Sequence, residues 1–230
     1  MPQEGVIETV KNSIVHTIKG SGEIVNAVTD TVSDVLSTTL KNTGRVGSAA
    51  SGAVTDVARG VIQGTSQVGG DLGAAAEGMM VGALRGSRHV GTEAVGTVGS
   101  GVSALLKETA AVGGDLGGAS RRAMLGVVRG TKDVGINTLQ AVGDAAEAVV
   151  RETSAIGGDL AKTARNAVEG AIQGARDIGV DASEAASAAA TGAIRAAGAV
   201  GKAATEEVTA ATTGVIAGVK SMAKEPFKHA

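Results

Sequence analysis

The 230-residue chain contains no cysteine, no tryptophan and no tyrosine, and only two prolines and one phenylalanine, Phe227. Without cysteine there can be no disulfide and no thiolate-held metal. The near absence of aromatics removes the bulky side chains that normally fill the layers of a domain this long. It also removes the platforms on which nucleic-acid bases stack. Neither sign of charge is in excess: 21 Lys and Arg against 23 Asp and Glu leave a formal net charge of -2. No basic surface for a phosphate backbone follows from that balance, and nucleic acid is not an expected partner. Long hydrophobic runs are missing too. Uncharged stretches such as residues 94–106 fall short of the roughly 20 residues that a membrane-spanning helix needs. The opening "MPQEGVIETVKNSIVHTIKG" places Glu4, Glu8 and Lys11 where a signal peptide requires an apolar run. We therefore expect no signal peptide and no transmembrane span.

What the chain has instead is glycine, 36 residues of it, and repetition. "VGGDLGAAAEGMMVGALRGSRH" begins at Val68, "VGGDLGGASRRAMLGVVRGTKD" at Val112 and "IGGDLAKTARNAVEGAIQGARD" at Ile156, each 44 residues after the last. Each 44 divides into four elevens, and the same frame runs from Ile24 to Ser221 without an insertion. Eleven residues make three helical turns at about 3.67 residues per turn, so a stripe with this period stays on one helix face. On that wheel Val, Ile, Leu, Ala, Gly and Thr fill one shallow apolar arc. The opposite arc carries Arg85, Arg129, Arg151, Lys162 and Arg195 together with Asp71, Asp115 and Asp159.

The pattern predicts an all-α protein of long amphipathic helices on a continuous 11-residue repeat, either extended or folded into glycine-packed helical hairpins. Residues 1–23 form a repeat-like N-terminal helix. Residues 24–221 form the repeat region, with units 24–67, 68–111, 112–155 and 156–199 and a partial unit 200–221. Residues 222–230 form a tail outside the repeat. Unbroken register favours one extended helix, because loops of varied length would shift the frame. Against this, Gly69, Gly70 and Asp71, then Gly113, Gly114 and Asp115, then Gly157, Gly158 and Asp159 could each seat a helix stop followed by an Asp cap. Pro226 should end the last helix by Glu225.

Glycine in a helix interior costs about 1 kcal/mol relative to alanine, so a lone rod with this composition is unfavourable by roughly 30 kcal/mol. The helix needs a partner surface. Gly60 and Gly64, Gly82 and Gly86, Gly126 and Gly130, Gly170 and Gly174, and Gly214 and Gly218 are pairs four apart at recurring repeat positions. Such pairs make a flat strip that lets another backbone approach closely.

The segments "GAVTDVARGVIQGTSQVGGD" and "VVRGTKDVGINTLQAV" resemble the 11-residue repeats of the perilipin family, the long-repeat type above all, and "EGVIETVKN" is similar to the synuclein repeat. The period is also similar to that of late-embryogenesis-abundant proteins. The perilipin resemblance implies a long helix lying on a lipid-droplet or membrane surface, in the cytoplasm and peripheral to that surface. Two functions follow as expectations. One is a non-enzymatic coat whose shallow helix binds a lipid surface through many weak repeats. The other is a self-assembling structural protein, a homo-oligomer of glycine-faced helices that closes a bundle, sheet or filament.

Nothing in the sequence points to catalysis. "GSGVSA" at residues 99–104 has the spacing of a dinucleotide fingerprint but lies inside the helical repeat with no strand before it. "GAVGKA" at residues 198–203 lacks the leading Gly and the Ser or Thr of a phosphate loop. His16, His89 and His229 are too far apart to form a local ligand set. The carboxylates recur at repeat positions, as a solvated face requires. No catalytic residue, cofactor or metal site is expected.

Overall fold

The structure, a computed structural model, describes residues 2–21, 23–43, 48–88 and 94–223. Among these residues the chain is all-α apart from one short hairpin. The helices are α1 (Pro2–Ser21), α2 (Ile24–Thr43), α3 (Ser48–Gln67), α4 (Leu72–Arg88), α5 (Ala94–Ala111), α6 (Leu116–Val134), α7 (Thr138–Ala155), α8 (Leu160–Ile178), α9 (Ala182–Val200) and α10 (Lys202–Thr212). Strands β1 (Gly214–Ile216) and β2 (Val219–Ser221) pair antiparallel at the end.

The chain is therefore folded, not one extended helix. Each repeat unit holds two helices: 24–67 holds α2 and α3, 68–111 holds α4 and α5, 112–155 holds α6 and α7, and 156–199 holds α8 and α9. Unbroken register does not exclude turns here, because the connectors from α3 to α4 and from α5 through α9 are each three or four residues long. One helix plus one connector fills half a unit, and the frame passes through the turns intact.

The connectors are built by glycine and Asx residues. After α3, Gly69 adopts φ +67° and donates its N–H to Ser66 O, while Gly70 N–H donates to Thr65 O. That pair of bonds defines a Schellman stop. Asp71 Oδ1 then accepts from the N–H groups of Gly73 and Ala74 at the start of α4. The sequence repeats this turn at Gly113 and Gly114, followed by Asp115 capping Gly117 and Gly118, and at Gly157 and Gly158, followed by Asp159 capping Lys162. Two connectors of the other kind are described. Gly135 (φ +71°) ends α6 and Asn137 caps α7, while Gly179 (φ +77°) ends α8 and Asp181 caps α9. The two kinds of turn alternate, so one lies at each end of the hairpins.

Each helix from α1 to α9 packs chiefly on a helix two along the chain and more lightly on its immediate neighbours, while α10 packs about equally on α8 and α9. The result is two layers, with α1, α3, α5, α7 and α9 in one and α2, α4, α6, α8 and α10 in the other. The apolar arcs face inward between the layers. One continuous core runs the length of the stack, built from Val, Ala, Ile, Leu and Met, including fully buried Ile14, Leu36, Ile62, Met79, Met80, Leu84, Leu105, Leu106, Met124 and Ile172. Stacked pairs that contact only their neighbours are the architecture of an α-solenoid.

Threonines 65, 109 and 153 recur at the Schellman turns. Each is fully buried, and each turns its Cγ2 methyl under the second turn glycine, where a Cβ on Gly70, Gly114 or Gly158 would lie 2.9, 2.7 or 2.9 Å from it. Their hydroxyls have no hydrogen-bond partner. A buried hydroxyl without a partner costs about 1–3 kcal/mol. Thr109→Val, which keeps the methyl and the shape, should raise stability by about 1 kcal/mol, and the triple replacement with Thr65→Val and Thr153→Val should add nearly independently, as read by urea denaturation.

Candidate functional site

Four of the five glycine pairs lie where parallel helices of one layer meet. A Cβ built on Gly82 of α4 would lie 2.5 Å from Thr29 O and 2.8 Å from Val32 Cβ of α2, and one on Gly86 would lie 3.0 Å from Leu36 Cβ. On α6, a Cβ at Gly126 would press on Glu77 O of α4, and one at Gly130 would meet Leu84 Cδ1 at 2.6 Å. On α8, Gly170 faces Arg121 O, and a Cβ at Gly174 would meet Val128 Cβ at 2.7 Å, both on α6. In the other layer, Cβ atoms on Gly60 and Gly64 of α3 would lie 2.8 and 3.0 Å from Ile7 O and Lys11 O of α1. The absent side chains are thus replaced by the backbone of the preceding helix, which is how small-residue seams let helices approach. The surface that the glycines meet belongs to the same chain.

Gly214 and Gly218 are not on a helix. Gly214 opens β1 with φ +100° and Gly218 sits in the hairpin turn with φ +78°, so this pair forms no helix seam. The sequence also does not single out Gly192 of α9, which crosses Gly143 of α7, where a Cβ would press directly on Gly143 O. Its signal is weak because it has no second glycine four residues away. Gly78 likewise escapes the expected pairs, although a Cβ there would lie 2.5 Å from Val25 O.

The charged arc also joins successive repeats. Arg85 pairs with Asp133 at 2.8 Å, and one unit on, Arg129 pairs with Asp177 at 2.6 Å. Arg59 reaches Glu108 at 2.9 Å and Arg195 reaches Glu147 at 3.3 Å in the other layer. Glu77 and Glu108 are exceptions to a solvated face: Glu108, 6% exposed, is held by Arg59, and Glu77, 1% exposed, has a carboxylate that accepts from Arg122 at 2.6 Å and from Arg129. The two guanidiniums together balance a carboxylate that could not be buried alone. Glu77, Asn26, Thr29, Arg85, Arg129 and Lys132 line a cleft of about 280 Å³ on the even-numbered layer. Lys162 Nζ donates to Asp115 Oδ1 at 3.2 Å; this bond, with the capping N–H groups of Gly118 and Gly117, holds the Asp115 carboxyl below its ordinary range.

The two ends of the stack differ from its middle. Helix α2 is the first described helix of its layer, and the positions one unit before Gly78 and Gly82 carry Asp34 and Thr38. With Gly5, Val6, Thr9 and Val35 they line an open groove of about 460 Å³. At the other end, β2 lies along α9: Ser183 Oγ donates to Lys220 O at 2.7 Å, Ser221 Oγ to Ala186 O at 3.2 Å, and Met222 N–H to Ser187 Oγ at 3.2 Å.

Among the described residues no group of three or more His, Asp or Glu could hold a metal ion, and no helix is long and apolar enough to cross a membrane. His89, His229 and the tail from residue 224 lie outside the described residues. No known protein-family model matches the chain, and no curated protein matches it.

Proposed function

We propose that the protein is a non-enzymatic structural scaffold, a helical stack whose glycine-faced helices assemble on one another within a single chain. The observation that carries this reading is the fate of the apolar arc. Its side chains are turned into the core between the two layers, and Val112, Val200, Val215 and Met222 are the only large hydrophobics exposed among the described residues. Thr38 stands at the seam position of α2 where the next helices of its layer carry Gly82, Gly126 and Gly170, and the hairpin covers α9. The repetition of equivalent side chains from unit to unit supports a role in architecture rather than chemistry.

A lipid coat uses the same arc differently, since the stack would have to open before the arc could lie on a surface. Circular dichroism and sedimentation distinguish the two. The scaffold should be fully helical and monomeric at micromolar concentration in lipid-free buffer, with a cooperative thermal transition that neutral-lipid droplets or phospholipid vesicles leave in place. Low helicity in buffer that rises on vesicles would overturn the scaffold in favour of the coat, and a defined larger species without lipid would favour assembly between copies.

A further inference from the structure

The last repeat is written as a helix but folded as a hairpin. In the repeat register α8 (Leu160–Ile178) maps onto residues 204–222, yet α10 stops at Thr212. Gly214 and Gly218 are the register images of Gly170 and Gly174. Were α10 to continue, they would meet α8 near Arg165, Val168 and Ile172, as Gly170 and Gly174 meet Arg121, Met124 and Val128 of α6. The helical alternative is therefore complete in the sequence, glycine seam included.

The hairpin that takes its place is anchored but imperfect. Ile216 and Ser221 are 1% exposed, Ser221 Oγ also donates to Thr212 O at 2.8 Å, and Arg176 donates to Ala217 O at 3.0 Å. Against these anchors, Ala217 has φ +49° and is the one non-glycine residue at positive φ among those described. A two-residue hairpin turn with both central residues at positive φ favours Asn-Gly or Gly-Gly, and alanine there is strained. Val215 is 74% exposed, a poor environment for a valine that a helix could turn toward its neighbour.

We propose that residues 213–221 are a strap with two states. In the closed state they form the β1–β2 hairpin over α9, with Lys220 O accepting from Ser183 and Ser221 Oγ donating to Ala186 O. In the open state the same residues extend α10 along α8 through Gly214 and Gly218, and the ridge of α9 is uncovered. The open state has the helix propensity of Ala217 and relief of its backbone in its favour. The closed state has two glycines whose positive φ a helix cannot use.

Substitutions at the turn move the balance in opposite directions. Ala217→Gly relieves the closed state and weakens the helix, so amide exchange across β1 and β2 should slow by about tenfold. Gly214→Ala with Gly218→Ala penalises positive φ at both positions and favours the helix. Cα chemical shifts for residues 213–221 should become helical, and the amides of α9 should exchange faster. A third variant, Val215→Cys with Lys220→Cys, joins residues that are paired across the hairpin. The chain has no other cysteine, so oxidation should hold the closed state even when combined with the two alanines, and reduction should release it. The proposal is overturned if the double alanine variant keeps extended shifts, or if its segment becomes unstructured without lengthening α10. It is equally overturned if Ala217→Gly leaves exchange unchanged.

Discussion

Gly170→Ala and Gly192→Ala should each destabilise the protein by about 2–3 kcal/mol, whereas Gly99→Ala should stabilise it by about 1 kcal/mol. All three are helical glycines, so propensity alone gives them one sign. The difference is what a Cβ would meet. At Gly170 and Gly192 it would press on the backbone carbonyls of Arg121 and Gly143, which cannot move without shifting a whole helix; at Gly99 there is nothing within 4 Å. In a chain of this size the spread corresponds to a loss of roughly 5–10 °C at the first two sites and a gain of a few degrees at the third. Gly130→Ala should fall between, because its nearest neighbour is the movable end of the Leu84 side chain. Thermal unfolding followed by circular dichroism gives the comparison directly. If Gly170→Ala matched Gly99→Ala, the helices of the even layer would not be in backbone contact.

Deleting whole repeats should have still larger and more divergent effects. Removing residues 68–111, which is α4 with α5 and their preceding turn, joins Gln67 to Val112 and the next Gly-Gly-Asp turn. Helix α6 then lands on α2 with Gly126 and Gly130 in the places of Gly82 and Gly86. Arg59 loses Glu108 and finds Glu152 in the same register. That protein should fold cooperatively, with a loss of stability proportional to one repeat. Removing 112–155 preserves register equally but strips Glu77 of both Arg122 and Arg129, leaving Asn166 and Gln173 in their places. An orphaned buried carboxylate costs about 3–5 kcal/mol, so this deletion should be distinctly worse at pH 7 and improved by Glu77→Gln. Removing only half a unit, one helix with its connector, moves every later helix to the opposite layer. Glycine seams are then set against faces that have no ridge for them, and no cooperative transition should remain. Equal stabilities for the half-unit and whole-unit deletions would show that the two layers are interchangeable.

Much of this architecture is legible in the sequence because a repeat states one local rule many times. The amphipathic stripe, the glycine pairs and the three Gly-Gly-Asp turns all act within a few residues of themselves. The turns at Gly135, Ile136 and Asn137 and at Gly179, Val180 and Asp181 carry the same stop-and-cap chemistry. They lie half a unit from the others, but with a single glycine they are harder to separate from helix. What the sequence could not supply was the partner of each face. Gly126 meets Glu77, and Arg129 meets Asp177, at separations longer than the repeat by about one helical turn. That extra turn follows from one helix sliding against the next and not from the repeat length. Hence the charged arc reads as a solvated face although Glu77 is buried within it. The final hairpin was illegible for a different reason: its residues fit the helical frame, and the competition is decided by contacts with α9.

The seams are not shared equally by the two layers. In the even layer, glycines bring α4 onto α2, α6 onto α4 and α8 onto α6. In the odd layer the register positions of Gly60 and Gly64 are taken by Ala104 and Glu108 on α5 and by Ala148 and Glu152 on α7. Helix axes separate by about 8 Å where contacts are small and by about 10 Å where side chains intervene. A stack whose two edges have different spacings cannot run straight. It should bow between α3 and α7 with the even layer on the inside of the arc, the layer that carries the cleft of Glu77, Arg85 and Arg129, and small-angle scattering should then read a curved rod instead of a straight one.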